Sequence, residues 1–204
     1  MMKIDKKSII NQYDANRSNY ERLVEIVEYG LNESIKKRGI KIHTLISRIK
    51  GVDSLLDKIE RKKITRPFEQ IHDLVGFRVV CLFLSDLDEI GDVIKKEFHV
   101  FEEDDKVNES EMQIFGYMSV HLKARLKHSP GAKFGDELAR IPFEIQARTI
   151  AQDAWASISH HLDYKKTGAI PQELKRDFYA LSGLFYVADT HFSILRKEKK
   201  QSFA

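Results

Sequence analysis

The chain has 204 residues but only one cysteine, four prolines and ten glycines. The lone Cys81 excludes an intrachain disulfide and any multi-cysteine metal site. It lies in "FRVVCLFL" and reads as a small buried hydrophobe, not a reactive thiol. The low proline and glycine content leaves no Pro/Ser linker, and there is no low-complexity tract or internal repeat. No apolar run approaches the ~18 residues that a membrane span requires, and "MMKIDKKSII" has no apolar signal core, so a cytoplasmic location is expected. Strong net charge is missing too. Lys+Arg number 34 against 31 Asp+Glu, a balance that does not by itself argue for nucleic acid. No G-x-G-x-x-G follows a strand-like run and no Walker A lysine motif is present, which removes support for two common nucleotide folds. His160 and His161 lack the i, i+4 spacing of a helical zinc site. His72–Asp73 begins a strand, whereas an HD-type phosphohydrolase needs further His and Asp on helices.

What is present is globular: 42% hydrophobic and 32% charged residues, enough for one domain over 1–204 with a substantial core. Apolar residues at helical spacing (Ile9, Tyr13, Tyr20, Leu23, Val27, Leu31) predict N-terminal helices over 5–39, broken near Asn16–Ser18 and stopped by Gly39. Residues 42–50 alternate and read as a strand. Asp53 is placed to cap a helix over 54–63, and Pro67 precedes a short helical stretch. "DLVGFRVVCLFL" (73–84) is the strongest strand signal, rich in β-branched and aromatic residues. A helix over 85–98, opened by Ser85 or Asp86, follows. Further strands are predicted at "HVFEEDDK", "YMSVHLKARL" and "IPFEIQART". Residues 151–164 are helical, and an amphipathic helix over 171–200 is expected to break near Gly183. Strands grouped between helices predict an α+β fold, a mixed sheet of about five strands flanked by helices rather than a regular βαβ repeat.

Three groups of side chains carry chemistry. Asp73 and Glu144 each sit in a very apolar run, where a carboxylate must be paired, point off the sheet or bind metal. Two such acids on neighbouring strands suit Mg²⁺, the hard cation that accompanies phosphates. Arg48 and Lys50 share one side of an extended segment. Ser54, Lys58 and Arg61 follow at i, i+4 and i+7 on one helix face, and Arg78 projects from the Asp73 strand. That array suits a polyphosphate, because Arg clamps oxygens bidentately or stacks on a base while Lys adds a point charge. Finally, "FGYMSVHLKARL" sets Tyr117, Ser119 and His121 on one side of a strand, a ring, a hydroxyl and an imidazole in a row. Each group also has a plain reading, respectively local salt bridges, a solvated helix face, and a structural tyrosine with a satisfied histidine.

Four motifs in order resemble the synthetase domain of the RelA/SpoT family, in particular its stand-alone small alarmone synthetases. They are Arg48, Lys50, Ser54 and Lys58; Asp73, Gly76 and Arg78 in D-L-x-G-x-R; Gly116, Tyr117, Ser119 and His121 in G-Y-x-S-x-H; and Glu144, Gln146, Arg148 and Thr149 in E-x-Q-x-R-T. The likeness spans a catalytic core of about 41–165. It implies a nucleotidyltransferase-like fold and transfer of pyrophosphate from ATP to a ribose 3′-hydroxyl. By the same resemblance, Arg48, Lys50, Ser54, Lys58, Arg61 and Arg78 bind ATP. Asp73 and Glu144 are catalytic and hold Mg²⁺, with Glu144 helping to deprotonate the attacking hydroxyl. Tyr117, Ser119, His121, Gln146 and Arg148 face the acceptor.

The acceptor itself stays open. Many guanosine-using members carry lysines just before the G-Y motif. Here that stretch has six acids (Glu102, Glu103, Asp104, Asp105, Glu109, Glu111) and Lys106 as its only full cation. GDP or GTP, giving the (p)ppGpp alarmone, ranks first. A toxin acting on the 3′-terminal adenosine of tRNA is the alternative, with basic clusters at 36–38, 61–63 and 196–197 available to RNA backbone. The partners implied are a homo-oligomer or, for a toxin, a neutralising antitoxin. No hydrolysis of the product is expected of this chain.

Overall fold

A computed structural model describes residues 5–105, 119–127, 135–162 and 171–202. In chain order these form α1 (Lys6–Ala15), α2 (Arg17–Lys37), β1 (Ile42–Ile49), α3 (Val52–Lys62), α4 (Pro67–Gln70), β2 (Val75–Cys81), α5 (Leu84–Glu97), β3 (His99–Asp105), β4 (Val120–Arg125), α6 (Asp136–Arg140), β5 (Phe143–Thr149), α7 (Ile150–Leu162), a single 3₁₀ turn at Gln172–Leu174, and α8 (Lys175–Ser202). The five strands make one mixed sheet in the order β1-β2-β5-β4-β3, with β2 and β5 parallel and every other pair antiparallel. The expected α+β architecture and strand count are therefore those of the molecule.

Alternation sets the two faces of this sheet apart. Val75, Phe77, Val79, Phe143, Ile145, Ala147, Leu122 and Ala124 are buried on one face. They pack with Leu23, Val27 and Leu31 of α2 and with Ile90 and Ile94 of α5 in one core. Phe143 meets Phe77 and Phe98 edge-on, at 5.7 and 5.3 Å between ring centroids. The intervening residues, Arg48, Gly76, Arg78, Glu144, Gln146, Arg148, His121 and Lys123, share the opposite face. Cys81 is fully buried, and burial, helped by the charges of Asp86 and Asp189, pushes its thiol up to about 12. That thiol is inert at neutral pH.

Local details depart from the sequence reading in three places. Asp53 does not cap α3: Gly51 is the N-cap and Asp53 sits in the first turn. Neither Ser85 nor Asp86 opens α5. The helix begins a residue earlier, after Phe83, and the Asp86 side chain reaches back to the Phe83 N–H at 3.3 Å. Gly183 does not break α8, which runs unbroken over 28 residues. A glycine inside a helix costs only about 1 kcal/mol. Packing of Trp155 in α7 against Phe178 and Phe185, at 4.6 and 5.8 Å, holds the helix on both sides of it.

Candidate active site

The polar face of the sheet is a layered set of side chains whose order follows from strand register. Arg48 pairs with Gly76, Gly76 with Glu144, Glu144 with Lys123, and Lys123 with Glu102, so these five residues form one row across all five strands. The next row runs Ile46, Arg78, Gln146, His121. A cleft of about 250 Å³ opens over the first half of these rows, lined by Ile46, Arg48, Gly76, Phe77, Arg78, Glu144 and Gln146. Gly76 forms its floor. A Cβ there would stand 3.7 Å from Arg48 Nε and 4.0 Å from the Glu144 carbonyl, so any larger side chain would fill the cleft.

Asp73 lies two residues ahead of β2, at the Gly76–Glu144 end of the parallel pair. Its carboxylate sits between two ammonium groups, Lys50 Nζ at 3.1 Å and Lys58 Nζ at 2.8 Å. Several elements fix those lysines. Lys50 N–H donates to the Leu74 carbonyl at 2.8 Å, and the Lys50 carbonyl accepts from Tyr13 Oη of α1 at 2.9 Å. Lys58 borders the side of α3 that Leu55 and Ile59 bury. Burial alone would raise the Asp73 carboxyl, but Lys58 and Lys50 outweigh it and hold it below its ordinary value. Arg48, Ser54 and Arg61 form no hydrogen bond or ion pair among the described residues.

Glu144 is held from both sides. Its Oε1 is 2.9 Å from His121 Nδ1, and its Oε2 accepts from Gln146 Nε2 at 3.0 Å. An ionised carboxylate only accepts, so Nδ1 carries the hydrogen. His121 Nε2 is hydrogen-bonded to the Ser119 hydroxyl, 2.8 Å away. Gln146 Oε1 in turn accepts from Arg148 Nη2 at 3.0 Å. Burial raises the Glu144 carboxyl and Asp73 adds to that. His121 first, then Gln146, lower it further than both, so the net shift is downward.

Among the described residues no group of three or more His, Cys, Asp or Glu side chains could hold a metal by itself. Two ionised, hard-oxygen carboxylates beside a cation array instead fit Mg²⁺ that takes its remaining ligands from substrate phosphates and water. Tyr117 and Gly116 lie outside the described residues. Arg148, predicted as an acceptor contact, is 2% exposed, with its guanidinium on Gln146 and near Asp153.

Asp153 was not singled out from the sequence. It stands in the first turn of α7, and its Oδ1 is 3.1 Å from Arg78 Nη1 and 3.6 Å from Arg148 Nη1. One carboxylate thus bridges two arginines that neighbouring strands bring together. A helix-face Asp seven residues after Gln146 carries no local signal of this, since Arg78 is distant in sequence. Asp153→Asn is expected to destabilise the fold by roughly 1–3 kcal/mol, because a buried guanidinium loses its counter-charge. If Arg78 binds ATP as the resemblance implies, the substitution should also raise the KM for ATP several-fold through a loosened Arg78. Urea unfolding and ATP titration of the variant check both effects, and an unchanged KM would remove Asp153 from the site.

A family model described as the region found in RelA/SpoT proteins matches residues 47–169. The GTP pyrophosphokinase YjbM of Bacillus subtilis (strain 168) is 32% identical over 168 residues, which is 80% of this chain and 76% of that protein. The small alarmone synthetase 1 of Bacillus subtilis bound to its product pppGpp superposes with a TM-score of 0.72 at 28% identity, over 92% of this chain and 97% of that one. The same synthetase bound to AMPCPP gives 0.71 at 26% identity, covering 94% and 99%.

Proposed function

Because this chain belongs to the RelA/SpoT family, we propose that it is a pyrophosphokinase transferring the pyrophosphoryl group of ATP to the ribose 3′-hydroxyl of GDP or GTP, with (p)ppGpp as product. The observation that carries this reading is a pair of ionised acids at the same end of the parallel β2–β5 pair, Asp73 within a clasp of lysines and Glu144 on the His121 side. Donor and acceptor therefore meet between them. Arg48 and Arg78 flank the cleft floor for the donor base or phosphates, and Lys50 and Lys58 take the triphosphate. Asp73 and Glu144 would hold Mg²⁺, which when bound neutralises phosphate charge.

Catalysis of such a transfer rests on alignment and charge neutralisation. Glu144 Oε accepts a hydrogen bond from the attacking 3′-hydroxyl and then its proton, as that oxygen bonds to the β-phosphorus of ATP and the bond from this phosphorus to the α-phosphate oxygen breaks, releasing AMP. A lowered carboxyl is a weak base, so its main work is to fix the hydroxyl in line. His121 and Gln146 hold the carboxylate still, and Arg148 does the same for Gln146. Exposed apolar side chains on α7 and α8, among them Leu162, Leu184 and Leu195, favour a homo-oligomer. The tRNA alternative, with its antitoxin, rests on the acidic stretch and the basic clusters at 36–38, 61–63 and 196–197.

Label from β- or γ-labelled ATP should move to GDP and GTP in the presence of Mg²⁺. Transfer to deacylated tRNA alone would replace the acceptor.

The pH dependence has a defined sign. Both carboxyls are lowered in the fold, relative to about 4 in an unfolded chain. Their stabilising contribution is complete above that unfolded value and is lost as pH falls through the folded values. The acid limb of kcat/KM for free enzyme should accordingly lie below the ordinary carboxylate range. An acid limb near neutrality would assign the essential ionisation to another group.

A further inference from the structure

The stretch before Gly116 offers Lys106 as its only full cation for an acceptor's 5′ phosphates, and the sheet places further cations on that side. We propose that Lys123, assisted by Arg125, binds the 5′ phosphates of the acceptor nucleotide and so selects for di- and triphosphates. This rests on the guanine-nucleotide reading above.

Lys123 is the direct cross-strand partner of Glu144 on β4 and shares its face. Adjacent strands lie about 4.8 Å apart. A ribose whose 3′-hydroxyl meets Glu144 therefore brings its 5′ side within reach of a lysine one strand over. Arg48 occupies the equivalent place beyond Gly76, on the other side of Glu144. The carboxylate is thus flanked by one cation toward the donor and one toward the acceptor. Arg125 lies two residues further along the same face. Its guanidinium is held 4.5 Å over the Phe101 ring, and its Nε–H donates to the Arg140 carbonyl at 3.3 Å.

Part of the acidic stretch is also spoken for. Glu103 pairs with Lys95 at 2.8 Å, and Glu102 pairs with Lys123 itself. The Lys123–Glu102 pair is exposed, with side chains 28% and 48% accessible. Exposed pairs of this kind contribute little. A di- or triphosphate carries several negative charges and charge-assisted acceptors, and it displaces a single solvated carboxylate. Glu102 then acts as a competitor that keeps Lys123 extended over the sheet until the acceptor arrives.

The test is an acceptor series of GMP, GDP and GTP at saturating ATP. Lys123→Ala should raise the KM for GDP and GTP by about 10- to 100-fold, with the KM for ATP within about twofold. It should also flatten the preference for more phosphates, and Lys123→Arg should restore most of it. Glu102→Gln leaves Lys123 in place and should lower the KM for GTP several-fold, which keeps the inference testable if the alanine variant folds poorly. A KM for GTP changed less than about twofold by Lys123→Ala would overturn it, as would an equal rise in the KM for ATP. Wild-type enzyme that labels tRNA but no guanine nucleotide would instead overturn the acceptor reading itself.

Discussion

Glu144→Gln is expected to lower kcat by about 10³-fold while leaving ATP binding within about twofold. The substitution keeps shape and removes charge. It also sets an amide where Oε1 accepts from His121 and Oε2 from Gln146, so one of those contacts becomes donor against donor. The attacking hydroxyl loses its acceptor and its alignment together, and these losses fall on the transition state more than on the ground state. The residues proposed to bind ATP, Lys50, Lys58, Arg48 and Arg78, include none that bonds to Glu144. Single-turnover transfer from labelled ATP, with a separate ATP titration, reads the two effects independently. A fall in kcat of less than about tenfold would mean that the reaction does not use this carboxylate.

Asp73→Asn should have the second largest effect, a loss of about 10²- to 10³-fold in kcat with a shift to higher Mg²⁺ demand. Asp73 holds two lysines at 2.8 and 3.1 Å. Without its charge Lys50 and Lys58 face each other with no counter-ion, and their phosphate geometry loosens. Nucleotide phosphates must also share those lysines with Asp73 in the native enzyme, so the variant can bind ATP as tightly as wild type while turning it over poorly. Thermal unfolding gives an independent readout. The wild type's advantage should be present above about pH 4 and vanish as acid protonates Asp73. Retained kcat at unchanged Mg²⁺ dependence would sink the assignment.

Much of this site was legible before the fold was known. Period-two alternation in "VGFRVVC" and "FEIQART" put Arg78, Glu144, Gln146 and Arg148 on one face each. The basic spacing around Arg48–Lys58 suggested an array suited to phosphate, and the fold sets Lys50 and Lys58 on the Asp73 carboxylate. The misses share a cause. Asp153, Tyr13 and Lys123 act on residues distant in sequence, so no local window contains both partners. The α8 break and the Asp53 and Ser85/Asp86 caps failed because tertiary packing outweighs a glycine's or a cap's contribution of about 1 kcal/mol.

Residue type and periodicity by themselves determined which side chains leave the core: an apolar strand must turn its few charged residues to the other face or bury them unpaired. Which of those charged residues meet was decided only by the tertiary structure. The parallel pairing of β2 with β5 sets Gly76 against Glu144, and β4 beside β5 sets Lys123 against the same residue. Strand order and register follow from burying the shared apolar face beneath α2 and α5 across the whole sheet. That free energy belongs to non-local contacts, and it brings separate polar rows together on one face around a cleft.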